Sequence, residues 1–277
     1  MVSKYTFANG VEVPMLGIGF DQVRDIALAQ RLMEYALETG YRSVDTAHSY
    51  GNETGIGNAV RESGIKREEI YITTKLTAKD QGYDSALRAF DRSMNNLQLD
   101  YLDCFLIHWP GKYLFTDTWR AFIRLYEEKA VRVIGVCNFN IHHLETVEKE
   151  TGVLPMVNQF ESHPYYPQNE LADYCLGRGI LTEAWSPMMC GGAIFADSTI
   201  GAVAGESGRT PAQVILRWHI QKGHRIFPKS VHADRIDSNF RIFDFALDDG
   251  QMERINALEG KNEKIGPNPD VFFEVFQ

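Results

Sequence analysis

The chain has few cysteines, no long apolar run and a deficit of positive charge. Only four cysteines occur in 277 residues, Cys104, Cys137, Cys175 and Cys190. None forms a C-x-x-C pair, so neither a metal site nor a dithiol redox motif is expected. Reduced thiols in a cytoplasmic protein are the simplest reading. No segment approaches the roughly 18 consecutive apolar residues of a membrane span, and the start, Met1 to Tyr5, has no apolar signal core. Thirty-seven acidic against 28 basic side chains give a net charge of −9. That balance argues against nonspecific nucleic-acid binding but leaves room for a local basic pocket. No internal repeat, low-complexity tract or long linker interrupts the chain. At 44% hydrophobic it can bury a substantial core, and residues 1–277 are expected to form a single domain.

What is present is an alternation. Short apolar runs at 16–18, 43–45, 70–74, 104–108, 133–136, 156–159, 181–184 and 225–227 alternate with amphipathic stretches. Residues 26–39 show the helical spacing: Ile26, Ala29, Leu32, Met33, Ala36 and Leu37 are apolar. Residues 85–97, 119–128, 142–149 and 211–221 read similarly. Eight strand–helix units predict an α/β fold, a (β/α)₈ TIM barrel. A doubly wound open sheet would need a Gly-rich turn after an early strand. Gly17-Ile18-Gly19 is only a fragment of one, and Phe20-Asp21 follows it. Ahead of the first strand, residues 4–7 and 11–13 flank Asn9-Gly10. That dipeptide between alternating runs signals a type I′ hairpin, placed here as an N-terminal β-hairpin plug of the barrel.

Active sites of such barrels lie at the C-terminal ends of the strands. Those ends read, in order, Asp45, Lys75, His108, Asn138, Gln159, Trp185 and Lys229. Tyr50 follows Asp45 by one short loop. A phenol is a poor acid at neutral pH, but a nearby ammonium favours the phenolate. Asp45 can in turn hold Lys75 charged and in place. Asp45, Tyr50, Lys75 and His108 thus make a candidate proton-donating site. A second role for Lys75, Schiff-base formation in a carbon–carbon lyase, is disfavoured because Asp45 would keep it protonated.

At these residues the chain resembles the aldo-keto reductases. The matching segments are DTAHSYGNE (45–53), ITTKL (72–76), LIHWP (106–110), IGVCNF (134–139), VNQFESHPYY (157–166) and FPKS (227–230). All six occur in the family's order and span nearly the whole chain. Length and the AWSP segment (184–187) look closest to the bacterial 2,5-diketo-D-gluconate reductase group. The resemblance implies NADPH-dependent reduction of aldehydes and ketones, with dicarbonyl, keto-sugar or aromatic carbonyl substrates. It implies Tyr50 as general acid, His108 orienting the carbonyl, and a cytoplasmic monomer. It also admits a nucleotide-sensing binding protein with negligible turnover. By resemblance, Asn138 and Gln159 hold the nicotinamide carboxamide, and Trp185 stacks on the ring with Ser186 beside it. Lys229, Ser230 and Arg235, with Asn239 beyond, follow the last strand and open a helix, which suits a 2′-phosphate.

The chain departs from the family pattern in several places. Cys137 stands where serine is commoner, Trp185 where tyrosine is, and Phe20 where threonine is. Ser238 replaces a longer acidic or amide residue at the adenine, and Thr77 replaces a tryptophan. The pocket walls are expected to include Phe20, Trp109, Tyr113, Met188 and Met189. After Gly260 the chain turns polar and then aromatic at Phe272, Phe273 and Phe276. This tail either folds over the pocket mouth or is disordered.

Overall fold

The computed structural model describes residues 2–111, 113–261 and 263–272. Two short strands, β1 (Lys4–Thr6) and β2 (Glu12–Pro14), pair antiparallel. Eight parallel strands follow: β3 (Ile18–Gly19), β4 (Ser43–Asp45), β5 (Tyr71–Leu76), β6 (Leu102–Ile107), β7 (Val131–Cys137), β8 (Val157–Glu161), β9 (Leu181–Trp185) and β10 (Arg225–Ile226). Each pairs with its neighbour in sequence order. A parallel bridge from Leu16 to Ile226 joins the last strand to the first. Gly17 N donates to Ile226 O at 2.9 Å and Ile226 N to Met15 O at 3.0 Å. The expected (β/α)₈ barrel is present.

The helices are α1 (Ile26–Thr39), α2 (Glu53–Glu62), α3 (Tyr83–Leu97), α4 (Phe115–Glu127), α5 (Ile141–Thr151), α6 (Asn169–Gly177), α7 (Ser198–Ser207), α8 (Pro211–Gln221), α9 (Ala233–Phe240) and α10 (Asp249–Asn256). Local sequence fixes their starts. Asp25 caps α1 by accepting from Leu28 N. Thr210 and Gln213 form a capping box on α8, with Pro211 in its first turn, where a missing N–H costs nothing.

Strand residues alternate between two environments, as pleating requires. In β5, Ile72 and Leu76 face the helix layer, whereas Tyr71 packs inside the barrel. In β6, Phe105 stacks on Phe122 of α4 at 4.5 Å while Cys104 and Leu106 point inward. Phe7, Val11 and Val13 of the hairpin pack on Tyr71, Cys104, Val133, Val157 and Leu181. These residues lie at the starts of their strands, so the hairpin closes the N-terminal end of the barrel.

The hairpin's turn is not type I′. Phe7 N donates to Val11 O, and Gly10 N donates to Phe7 O, each at 2.9 Å. The loop therefore has three residues. Gly10 has φ +80, but Asn9 is not among the residues of positive φ, and type I′ needs both. Asn9 instead accepts from Val11 N and donates to Arg132 O. Its side chain is used to fasten the plug to the barrel, and only glycine takes the left-handed position.

Candidate active site

Period-two alternation in each strand leads to the site. The inward column of β5 runs Tyr71, Thr73, Lys75, and the column of β6 runs Cys104, Leu106 and then His108 just past its end. β4 ends in Asp45. These columns open into one cavity of ≈ 1120 Å³. Asp45, Tyr50, His108, Cys137, Asn138, Gln159 and Trp185 line its deep end.

The loop after β4 places Tyr50. Ala47 is extended, and one 3₁₀ turn (His48–Tyr50) follows. Gly51 ends the turn at φ +72, which a residue with a Cβ adopts only under strain. The next two residues anchor the loop. Buried Asn52 accepts from Thr46 Oγ1 and donates to the carbonyls of Phe20 and Val23. Buried Glu53 accepts from Thr74 Oγ1 at 2.7 Å and Asn96 Nδ2 at 2.9 Å. In DTAHSYGNE, then, the final Asn and Glu hold the backbone that aims the tyrosine.

Lys75 is fully buried. Its Nζ donates to Asp45 Oδ1 at 2.5 Å and to Thr46 O at 3.0 Å, and lies 5.2 Å from the Tyr50 ring centre. Burial alone would pull its ammonium down, but Asp45, Tyr50 and Cys137 outweigh it, so the net shift is upward. A fully buried amine held charged by Asp45 is poorly placed to attack a carbonyl, which disfavours the Schiff-base reading. Tyr50 behaves differently from the sequence expectation. Burial raises its phenol well above the usual 10, and Lys75 pulls only partly against that. The resting group is a neutral phenol. His108 faces it edge to face at 5.8 Å. Burial, helped by Lys75, lowers that imidazole to about 3, so it is neutral at physiological pH and can donate one N–H.

The other strand-end residues are more constrained than expected. β8 runs two residues beyond Gln159, which therefore sits one layer below the rim. Gln159 Nε2 donates to Asp45 Oδ2 at 2.8 Å and to Glu183 Oε2 at 3.0 Å. Asn138, at φ +64, donates to His108 O and accepts from Trp185 Nε1 at 2.7 Å. The rim residue of β8 is Glu161, which sequence reasoning passed over although it lies inward of the same strand by period two. Its carboxylate accepts from Ile265 N at 2.7 Å and Gly266 N at 2.8 Å.

Those bonds dock residues 263–272 over the barrel mouth. Gly266 lies so close to Trp185 that a Cβ there would come within 2.4 Å of the ring. Asn140 Nδ2 and His142 Nε2 both reach Asp270 Oδ1, at 2.9 and 3.1 Å. Phe272 stacks on Trp109 at 4.2 Å and 3°. Phe273 and Phe276 lie outside the described residues.

The far end of the cavity carries the expected polar cluster. Ser186, Lys229, Ser230, Arg235 and Asn239 all line it, and Ser230 Oγ accepts from His232 N at the start of α9. Lys229 and Arg235 are exposed into the groove. The start of α8 (Thr210, Pro211, Ala212) and the turn at Cys190 and Gly191 complete this end. The Thr-Pro helix start was the available sequence signal for the former.

The substrate walls need correction. Trp109 and Met188 line the cavity. Phe20 is 1% exposed and sits in the core between barrel and helices, because β3 ends at Gly19 and the chain turns there. Asp21 and Gln22 line the cavity instead. Tyr113 is 77% exposed and stands outside the lining. Met189 takes φ +52, packs against the cluster that includes Trp218 and Leu247, and is not among the residues lining the cavity.

A parallel barrel with a buried cation beside a neutral phenol, and with a long cleft ending in a basic rim, sets a proton donor at one end of a site suited to an anionic ligand at the other. The sequence profile of the aldo/keto reductase family matches residues 16–259. The chain belongs to that family and is an oxidoreductase. It is 48% identical over 262 residues to glyoxal reductase of Bacillus subtilis, covering 95% of this chain and 94% of that one. It is 42% identical over 267 residues to methylglyoxal reductase DkgA of Salmonella typhimurium, covering 95% and 96%. Among solved structures, a point mutant of Gox0644 in complex with NADPH superposes with TM-score 0.93 at 38% identity, covering 98% of each chain.

Proposed function

We propose that the protein reduces small reactive carbonyl compounds, α-dicarbonyls foremost, to hydroxy-carbonyls at the expense of NADPH. The carrying observation is the convergence of Asp45, Lys75, Tyr50 and His108 at the deep end of a cleft whose other end presents Lys229, Ser230 and Arg235. The donor set fits a phosphorylated dinucleotide: two exposed cations and a hydroxyl at a helix start suit an anion, and Trp185 offers a flat apolar face near Asn138. When bound, NADPH supplies the hydride to the carbonyl carbon.

The chain's own residues handle the oxygen. His108, as a neutral imidazole, donates its N–H to the carbonyl oxygen and orients it. Tyr50 passes its phenolic proton to that oxygen as negative charge develops there. The Lys75 ammonium then stabilises the phenolate left behind. Burial keeps the phenol protonated until needed, and Lys75 makes its loss tolerable. Asp45 holds Lys75 at the right distance.

Similarity to enzymes named for glyoxal and methylglyoxal supports the dicarbonyl class. Keto-sugars and aromatic aldehydes remain within the same reading. We take residues 1–277 to act as one barrel domain, as a cytoplasmic monomer. Among the described residues no helix is long and apolar enough to cross a membrane. Loss of NADPH absorbance with a panel of glyoxal, methylglyoxal, keto-sugars and aromatic aldehydes tests the proposal. No consumption with any of them would end it, and a best rate with sugars would move the substrate class.

A further inference from the structure

A row of hydrogen-bonded polar side chains continues from the active site into the closed interior of the barrel. Strand register places Cys137 beside Gln159, Gln159 beside Glu183 and Glu183 beside Arg225. Glu183 and Arg225 are fully buried, yet nothing in the reaction calls for them. Arg225 donates from Nη1 to Glu183 Oε1, from Nε to Pro14 O at 2.9 Å, and from Nη2 to Ser43 Oγ at 2.5 Å. Its guanidinium is further enclosed by the rings of Tyr71 and Phe227. The other oxygen of Glu183 accepts from Gln159 Nε2, whose second hydrogen goes to Asp45. Asp45 in turn holds Lys75 beside Tyr50.

The charges along this row read plus, minus, minus, plus, with one amide between the two carboxylates. That amide can face them only with its NH₂ group. Turned the other way, its oxygen would meet two buried anions without a proton between them. Gln159 Oε1 is thereby left on the Cys137 side, where Cys137 Sγ approaches at 3.7 Å, and both residues line the cavity. A glutamine held by Asp45 alone could rotate. Glu183 removes that freedom, and Arg225 keeps Glu183 charged and in place.

We propose that Glu183, braced by Arg225, is a positioning residue for the reduction: it locks the Gln159 amide with its oxygen toward the cavity and its nitrogen on Asp45. The consequences reach both ends of the chemistry. Gln159 presents an acceptor to the amide end of a bound nicotinamide, and Asp45 keeps a fixed second partner while it holds Lys75. The inference rests on the NADPH-dependent reading given above.

Glu183→Gln is the sharpest test, because it preserves shape. The new amide must turn its oxygen to Arg225, which has only donors, and so offers NH₂ to Gln159. Gln159 then inverts, and Asp45 loses its donor. We expect NADPH affinity, read by protein fluorescence, to weaken by up to about tenfold, the upper end for one neutral hydrogen bond. The kcat for the best carbonyl substrate should fall with little change in its KM, and the alkaline limb of the kcat profile should move to lower pH, because loss of the Glu183 charge favours the phenolate. Glu183→Leu combined with Arg225→Met removes both charges together, a change that buried pairs tolerate. It serves if Glu183→Gln fails to fold, and because Gln159 is then freed rather than inverted it should show a smaller loss of NADPH affinity in the same direction. A folded variant of either kind with wild-type NADPH affinity and an unchanged pH profile would reduce the row to a structural ion pair and overturn the proposal. Failure of the wild-type protein to bind NADPH is a separate result, seen before any variant is compared, and strikes the underlying reading instead.

Discussion

The Lys75 ammonium and the Asp45 carboxylate lie 2.5 Å apart with both side chains almost wholly removed from water. Neither could be left alone there. An unpaired ion in such a place costs several kcal/mol, so each residue is the condition for the other. The pair is also not self-contained: Lys75 sits 5.2 Å from the Tyr50 ring, and Asp45 carries Gln159 on its second oxygen. Stability and chemistry are thus tied to one contact.

Lys75→Met breaks that contact while keeping the length of the side chain. The stranded Asp45 carboxylate should cost about 3–5 kcal/mol of stability. Reduction should drop steeply, because the phenolate formed on Tyr50 loses its stabilising cation. Urea unfolding together with NADPH oxidation measures both effects. A variant that unfolds at the wild-type midpoint and turns over at the wild-type rate would contradict the pairing and the role.

Tyr50→Phe separates chemistry from structure. Ring packing against His108 persists, and only the proton is lost. Turnover should fall by roughly 10²-fold or more, the usual contribution of a positioned general acid, with NADPH affinity nearly unchanged. Because burial holds the phenol above its usual 10, wild-type reduction should persist into alkaline solution and fail only as the phenol ionises. Near-normal turnover by Tyr50→Phe would remove the residue from the mechanism.

The positions of Asp45, Lys75 and His108 were readable in the sequence because each ends an apolar run, and a polar group at a barrel strand's end has one place to go. The same logic misplaced Gln159, since β8 continues through the apolar Phe160 to Glu161 before the strand ends. Phe20 misled for a local reason. Its N–H bonds Asp45 O, which continues the barrel's bonding one residue past β3 and turns the ring outward into the core. Met189 depends on a left-handed backbone that no residue type announces. The tail was undecidable from its own sequence. What holds it is Glu161 and Asn140, each more than a hundred residues away, and Trp185, 81 residues before Gly266.

Docking of that tail predicts the effect of Gly266→Ala. The added Cβ would meet Trp185 at 2.4 Å and Glu161 Oε2 at 2.9 Å, so residues 263–272 must lift. Loosening their bonds to Glu161, each worth about 1.5–3 kcal/mol at best, should open the mouth without touching the barrel. We expect the substrate KM to rise about fivefold, the tail to become more sensitive to protease, and the thermal midpoint to stay close to wild type. An unaltered KM with a tail shown to be released would mean that the tail does not wall the pocket.

Burial lowers four histidines, and each costs stability in acid: His143 falls to about 4 and the other three further. Burial lowers His108 and His224 to about 3 and His219 well below 6.5. In the unfolded chain these rings protonate near 6.5; in the folded one they do not. Below 6.5 the unfolded state therefore binds more protons, and stability falls as pH falls, until the folded values are reached. Each ring contributes about 1.4 kcal/mol per pH unit once well inside that window. Asp197 and Glu206, both held down to about 2, add their losses only below the ordinary carboxylate range. The urea midpoint should therefore drop between pH 7.5 and 5, and His224→Gln should shallow that slope. A midpoint that is flat over this interval would show that the rings are hydrated or charged in the folded protein.

Cofactor choice rests on the exposed end of the cleft. NADPH and NADH differ only in the 2′-phosphate, so discrimination must come from groups able to touch it. Arg235 and Lys229 are the cations that line this end, with Ser230 between the last strand and α9. Arginine offers a planar fork to phosphate, whereas lysine acts as a point charge, which ranks Arg235 first. A charge-assisted bond is worth about 1.5–3 kcal/mol. Both cations are exposed, and water and salt screen such contacts, so the low end applies. Arg235→Ala should weaken NADPH about tenfold and leave NADH nearly unchanged. In the wild-type protein NADPH affinity should decline with added salt more steeply than NADH affinity. Equal losses for the two cofactors in the variant would mean that Arg235 supports the loop instead of reading the phosphate. A wild-type preference for NADH would overturn the assignment of the whole cluster.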